Sequence, residues 1–288
     1  MVGESEQPAH ALSPRRLQRG VWFNVLLSGD DGVAIDAAFW LNPQQQAIPA
    51  RQAWILFFLA NAAVYEFGFD EYAALGNEIG ANVFVFNYRG VSHSRGTIIK
   101  CSDLVDDGLL CLNYLTTHLG AKHENILFFG RSIGGGVAAV LRARHSPTGP
   151  ILSDRSFSSI GNAATSVVKL AMTSSFSVKF GLPKVIVQGI GSAIVKFDLD
   201  AVSEWSRISG LKLILYHTDD AIINYDVASL HKALELKYGS AYGESIRLET
   251  TQQIQDAHNV PLRDFPQYPF IIMQCQGMLY TALPIADA

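Results

Sequence analysis

Ile126-Leu127-Phe128-Phe129-Gly130-Arg131-Ser132-Ile133-Gly134-Gly135-Gly136 decides the fold of this chain. Four consecutive apolar residues read as a strand buried on both faces of a parallel sheet. The glycines that follow predict a sharp turn, and Val137 to Arg144 resumes with helix-forming residues. The turn contains Gly-x-Ser-x-Gly, with Gly130, Ser132 and Gly134 in the fixed places. A serine on a tight strand-to-helix turn has strained backbone angles, and residues two places either side must lack side chains for the chain to close. The hydroxyl then projects above the sheet edge, with the N–H of Ile133 directed to where an oxyanion would form. The pattern alone is weak in a chain with 24 glycines; its placement between an apolar strand and a helix makes it informative.

Working outward, the same alternation recurs. Val21 to Leu27 and Val33 to Leu41 predict an antiparallel hairpin across Ser28-Gly29-Asp30-Asp31-Gly32. Trp54 to Leu59 and Asn82 to Tyr88 read as strands, separated by a helix over Tyr65 to Ile79. Cys101 to Leu119 has a helical apolar face, with Asp103, Asp106 and Asp107 favourably placed near its N-terminus. Further strands are expected at Pro150 to Ser153, Leu211 to Tyr216 and Ser245 to Glu249, and helices over Asp226 to Lys237 and Pro269 to Tyr280. Buried strands alternating with helices predict an α/β fold, with a mostly parallel central sheet and helices on both faces.

Residues 1–17 are expected to be a flexible lead-in and Leu283 to Ala288 a loose tail, with the core formed by 18–155 and 198–288. Residues 156–197 interrupt the alternation. They contain no Asp or Glu and four lysines, Lys169, Lys179, Lys184 and Lys196, with apolar clusters such as Val185-Ile186-Val187. This stretch predicts a helical cap over the site, or, more sharply, a cationic apolar lid making peripheral contact with a lipid or membrane surface.

The chain has 288 residues, 49% hydrophobic and 17% charged, enough for one large core with an insertion. A net charge of −4 exerts no general pull on nucleic acid. Cys101, Cys111 and Cys275 are odd in number and lack metal-ligand spacing, so neither a disulfide framework nor a zinc site is expected, and no cofactor is implied. The polar start of the chain has no signal-peptide pattern, and there is no run of about 18 apolar residues. A cytoplasmic protein, or one exported without a cleaved signal peptide, is therefore expected. The oligomeric state is not legible.

A serine hydroxyl needs a base within hydrogen-bond reach, and the base an orienting acid. Asp219 and Asp220 sit just past the strand Leu211 to Tyr216, and His258 follows the last strand in Asp256-Ala257-His258-Asn259. The order Ser132, Asp220, His258, each after a strand, resembles that of the α/β-hydrolase superfamily. Asn87-Tyr88-Arg89-Gly90, Leu59-Ala60-Asn61-Ala62-Ala63 and Ser153-Asp154-Arg155-Ser156-Phe157 are similar to motifs of its small esterase and thioesterase branch, and to uncharacterised hydrolases of intracellular bacterial pathogens. The resemblance spans Trp54 to Leu262.

It implies Ser132 as nucleophile, His258 as general base and Asp220 as acid, Asp219 fitting one residue worse. It also implies an oxyanion hole from the backbone N–H of Ile133 and of Asn61 or Ala62. The family loop His-Gly-Asn-Ala-Gly has here lost both glycines, to Ala60 and Ala63, which restricts it. Arg131 and His217 are candidates for the substrate pocket, Arg131 alternatively holding a loop; Arg89 reads as a structural tie. The activity implied is serine hydrolysis of an ester or thioester on a small-molecule, lipid or acylated-protein substrate, with a peptidase as runner-up. A structural reading stands beside it, in which Ser132 caps a helix, His258 is a loop histidine and the fold is a catalytically silent binding module.

Overall fold

The computed structural model describes residues 11–17, 20–45, 52–172, 199–250 and 256–280. Nine strands form one sheet: β1 (Ala11–Leu17), β2 (Gly20–Ser28), β3 (Ala34–Trp40), β4 (Trp54–Phe58), β5 (Asn82–Phe86), β6 (Ile126–Arg131), β7 (Ile151–Asp154), β8 (Lys212–Tyr216) and β9 (Glu244–Arg247). Their spatial order is β1-β2-β3-β5-β4-β6-β7-β8-β9. The first three strands and the β3–β5 junction are antiparallel, and from β5 to β9 every pairing is parallel. Helices pack on both faces. They are α1 (Phe69–Ile79), α2 (Ser102–Thr117), α3 (Ile133–His145), α4 (Ile160–Met172), α5 (Ala201–Trp205), α6 (Tyr225–Ala228), α7 (Leu230–Tyr238) and α8 (Tyr268–Tyr280).

The central strands are apolar on both faces because both are covered. Every residue of β4 and β5 is buried, and Phe57, Phe58, Phe128 and Phe129 of β4 and β6 fill the space between sheet and helices. Each such ring contributes about 1.5–3 kcal/mol when removed from water. From β4 the chain steps outward to β5, then returns across β4 to β6. Connections therefore diverge at the carboxyl ends of β4 and β6 and open a crevice there, the position where open α/β sheets bind ligands.

The expected lead-in over 1–17 is corrected by β1. Ala11–Leu17 pairs antiparallel with β2, with a register shift between Leu12 and Arg15 that spans Pro14. The open edge of β2 recruits more chain, and proline is tolerated in an irregular edge strand. The helix expected from Tyr65 begins at Phe69, after a 3-10 turn over Tyr65–Phe67. The helix expected over 226–237 is broken at Ser229, which caps α7 through Lys232 N–H and bridges to Phe157. Of the expected cap, α4 is described; 173–198, with Lys179, Lys184, Lys196 and Val185-Ile186-Val187, lies outside the described residues, as do 1–10 and the tail.

The glycine run is also corrected in part. Helix α3 starts at Ile133, so Gly134, Gly135 and Gly136 are helical rather than part of the turn. The turn is Ser132 itself, at φ 53° and ψ −120°. Close approach explains the missing side chains: a Cβ on Gly134 would lie 2.1 Å from the Phe58 carbonyl oxygen, and one on Gly130 2.4 Å from that of Gly134. The first turn of α3 thus lies directly against the end of β4.

Candidate active site

Three loops at the carboxyl edge of the sheet converge on Ser132. Its left-handed backbone is held from both sides: its N–H donates to the Asp154 carbonyl at 2.9 Å, and its carbonyl accepts from Ser156 Oγ at 2.7 Å. The His258 ring stands against the hydroxyl, with Nε2 3.0 Å from Ser132 Oγ. Its other nitrogen, Nδ1, lies 2.8 Å from Asp220 Oδ2. Asp220 Oδ1 accepts the N–H groups of Ile222 (2.9 Å) and Ile223 (2.7 Å), which fixes the carboxylate in its own turn. All three residues are buried. Asp219 is exposed, and its N–H goes to His217 Nδ1 at 2.9 Å; the carboxylate on His258 is that of Asp220.

Beside Ser132 lies a cavity of about 380 Å³. Asn61 and Ser132 contribute its polar surface; Ile98, Leu104, Phe157, Ala163, Ala164 and Ile222 are among its apolar walls. Ile133 also lines it and is the first residue of α3, where backbone N–H groups have no partner within the helix. In the facing loop, Ala63 N–H bonds to the Ala60 carbonyl at 3.2 Å, and Ala62 takes φ 58°. The strained position is thus Ala62, whereas Ala60 and Ala63, which replace the family's glycines, keep negative φ. The lost glycines are not at left-handed positions.

Neither Arg131 nor His217 lines this cavity, and the expectation that they do is corrected. Arg131 directly precedes Ser132 at the end of β6, and successive strand residues point to opposite faces. Its side chain enters a separate cleft, where Nη2 donates to the His258 carbonyl at 3.0 Å. His217 is turned back into its own loop by the Asp219 N–H and lies near Phe265. Arg89 is the structural tie it was read as: its guanidinium meets Asp107 at 2.7 Å and Asp103 at 3.6 Å, joining the loop after β5 to α2.

The residue that sequence reasoning missed is Arg155. It is buried, at φ 46°, and its Nη1 donates to the carbonyls of Ala257 (2.8 Å) and Val260 (2.7 Å) on either side of His258. Nε and Nη2 each donate to Asp154 at 2.8 Å. Burial alone would raise the Asp154 pKa, but the Arg155 charge and its hydrogen bonds outweigh that and hold the carboxyl below its usual range. The available signal was an Asp-Arg pair one residue after the apolar Ile151-Leu152, a place where charges need a partner. Among the described residues no group of three or more His, Cys, Asp or Glu is placed to hold a metal ion.

A family model described as Chlamydia CHLPS protein (DUF818) matches residues 30–221, about two thirds of the chain. The chain belongs to this family. The match contains Ser132 and Asp220 and stops before His258. The CHLPS family chain is also similar to Alpha/beta hydrolase domain-containing protein WAV2 of Arabidopsis thaliana, 28% identical over 155 residues, 53% of this chain and 48% of that protein. It is 28% identical to Protein bem46 of Schizosaccharomyces pombe over 183 residues, 63% of this chain and 54% of that one. It thus spans about half the length of the curated relatives it matches. Among solved structures, an esterase of Pyrococcus furiosus superposes with a TM-score of 0.64 at 11% identity, covering 95% of this chain and 94% of the esterase. An alpha-beta hydrolase of Vibrio vulnificus gives 0.60 at 20% identity, covering 88% and 80%. With the mostly parallel sheet and its flanking helices, these similarities show that the CHLPS family chain has the α/β-hydrolase fold. No helix among its described residues is long and apolar enough to cross a membrane.

Proposed function

We propose that this protein is a serine hydrolase that cleaves an ester or thioester carrying an apolar acyl group. The observation that carries this reading is the continuous hydrogen-bonded line Ser132–His258–Asp220 ending at an apolar cavity. His258 Nε2 takes the Ser132 proton as Oγ attacks the carbonyl carbon of the substrate. The oxyanion that forms is met by the N–H of Ile133 and one from Asn61 or Ala62. The intermediate collapses when His258 returns the proton to the departing alcohol or thiol. A water, activated by the same ring, then attacks the acyl-enzyme and releases the acid. Asp220 keeps the ring in the tautomer with hydrogen on Nδ1 and stabilises the imidazolium.

The acyl group occupies the cavity at Ser132, whose walls offer it little but apolar contact, so a small molecule, a lipid or an acylated protein fits as substrate. Peripheral membrane contact through 156–197 is part of the same proposal, motivated by the absence of acidic residues there. The test is labelling by a fluorophosphonate, which reacts with serines activated by a working base and oxyanion hole. Wild-type protein should be labelled and should hydrolyse short acyl esters, and Ser132→Ala should do neither. Folded wild type that takes no label, or a labelled Ser132→Ala, overturns the reading.

A further inference from the structure

The cleft that receives Arg131 is distinct from the cavity at Ser132. It measures about 320 Å³ and lies between α1 and the loop that follows His258. Its apolar lining includes aromatic rings among aliphatic residues: Phe57 stacks on Phe129 at 4.7 Å and meets Tyr72 at 4.9 Å between ring centres.

Two of the carboxylates lining it are paired with cations. Glu71 pairs with Arg263 at 2.8 Å. Glu78 accepts the Tyr268 hydroxyl. Asp154 spends both oxygens on Arg155. Arg131, half-buried, donates one N–H to the neutral His258 carbonyl, with the Asp154 and Glu71 charges near it. A guanidinium has five N–H donors in a planar fork suited to a carboxylate. Arg131 thus offers an anion a site backed by aromatic rings.

We propose that this cleft is a binding site for a small monocarboxylate with an apolar or aromatic body. The carboxylate sits on the Arg131 guanidinium and the body lies along Phe57, Tyr72 and Phe129. Since the same guanidinium holds the His258 carbonyl, occupancy alters the setting of the His258 loop. Any effect of occupancy on turnover rests on the proposed hydrolase reading; binding itself does not.

The test titrates the full chain with phenylacetate and with neutral phenylacetamide, following heat and the NMR signals of the His258 ring. Wild type should bind phenylacetate saturably and the amide about tenfold or more weakly, because the charge-assisted pair is lost. The His258 signals should move with phenylacetate. Ala74→Trp, which fills the cleft from α1 and leaves Arg131 in place, should abolish both effects. Arg131→Lys, which keeps the charge but loses the fork, should weaken binding by a similar factor and supports the assignment independently of how Ala74→Trp folds. Ser132→Ala should bind phenylacetate as wild type does, which separates this site from the cavity at Ser132 and from the hydrolase proposal. No saturable binding to wild type, equal binding of the amide, or undiminished binding by folded Ala74→Trp would overturn the proposal.

Discussion

Arg155 and Asp154, neighbours in sequence at the end of β7, close on each other in space through two 2.8 Å hydrogen bonds and are both buried. Arg155 spends its remaining reach on the carbonyls of Ala257 and Val260, so one side chain ties the strand before the cavity floor to the loop that presents His258. Removing it leaves the Asp154 carboxylate buried without its counter-charge. Arg155→Gln should therefore lower stability by about 3–5 kcal/mol, the usual cost of breaking a buried pair from one side. It should also slow fluorophosphonate labelling of Ser132 by freeing the His258 loop. Denaturant unfolding and labelling rates check this; an unchanged unfolding midpoint would refute the tie.

The contact of α3 with β4 predicts a contrast between two glycines. An alanine at Gly134 would place Cβ 2.1 Å from the Phe58 carbonyl oxygen and 2.7 Å from that of Leu59, both backbone atoms that cannot rotate away. Gly134→Ala should cost at least about 3 kcal/mol, the upper end for overpacking. Gly277, within α8, has nothing within 4 Å of the same atom. Gly277→Ala should stabilise by about 0.5–1 kcal/mol, through helix propensity alone. Parallel unfolding curves of the two variants give the comparison.

The alternation of apolar strands and helices from Trp54 to Tyr216 was legible because burial on both faces leaves continuous apolar runs. The order of Ser132, Asp220 and His258 was legible through the resemblance, with Ser132 directly after β6, Asp220 in the turn beyond β8 and His258 in the loop beyond β9. What escaped depends on side-chain direction and on pairing between distant segments. Arg131 stands next to Ser132 in sequence but faces another cleft, because strand neighbours diverge. Arg155 lies in a stretch similar to a family motif, but its role rests on four hydrogen bonds, two of them to a segment about a hundred residues away. The β1 strand has Pro14 and two arginines where a flexible lead was expected, and only the open edge of β2 explains it. Gly134 to Gly136 read as turn residues although they open a helix, where Gly134 meets the end of β4, Gly135 the Ser153 and Ser156 side chains, and Gly136 the Phe157 ring.

Acid should weaken the protein as its histidines of lowered pKa titrate. Burial lowers the pKa of His217, with the nearby Arg155 and Arg247 charges adding to it against Asp219 and Asp220. Its Nδ1 accepts the Asp219 N–H at 2.9 Å, a bond a protonated nitrogen cannot accept. Burial likewise lowers the pKa of His123 and His231. A histidine with its folded pKa below the unfolded value of about 6.5 contributes stability that is complete above that pH and lost as pH falls through the folded pKa. The unfolding midpoint should therefore be level from about pH 8 to 6.5 and fall below that. His217→Asn, which can still accept the Asp219 N–H but does not titrate, should show a shallower fall. An identical slope in the variant would remove His217 from this account.

Chain-length selectivity should reside in α4, because Ala163 and Ala164 line the cavity and are the smallest side chains that do. A phenyl ring at Ala164 would occupy space that the acyl chain otherwise fills. Each buried methylene is worth about 0.8 kcal/mol, so the six that separate an octanoyl from an acetyl ester are worth about 5 kcal/mol when fully enclosed. That is an upper limit of roughly three and a half orders of magnitude in kcat/KM. Ala164→Phe should remove most of that advantage, lowering kcat/KM for octanoyl esters at least about tenfold while acetyl esters stay within a few-fold of wild type. The ratio matters more than either rate, since a variant that merely loosened the fold would depress both alike. A ratio unchanged from wild type in a folded, fluorophosphonate-reactive variant would mean that the acyl group does not enter this cavity.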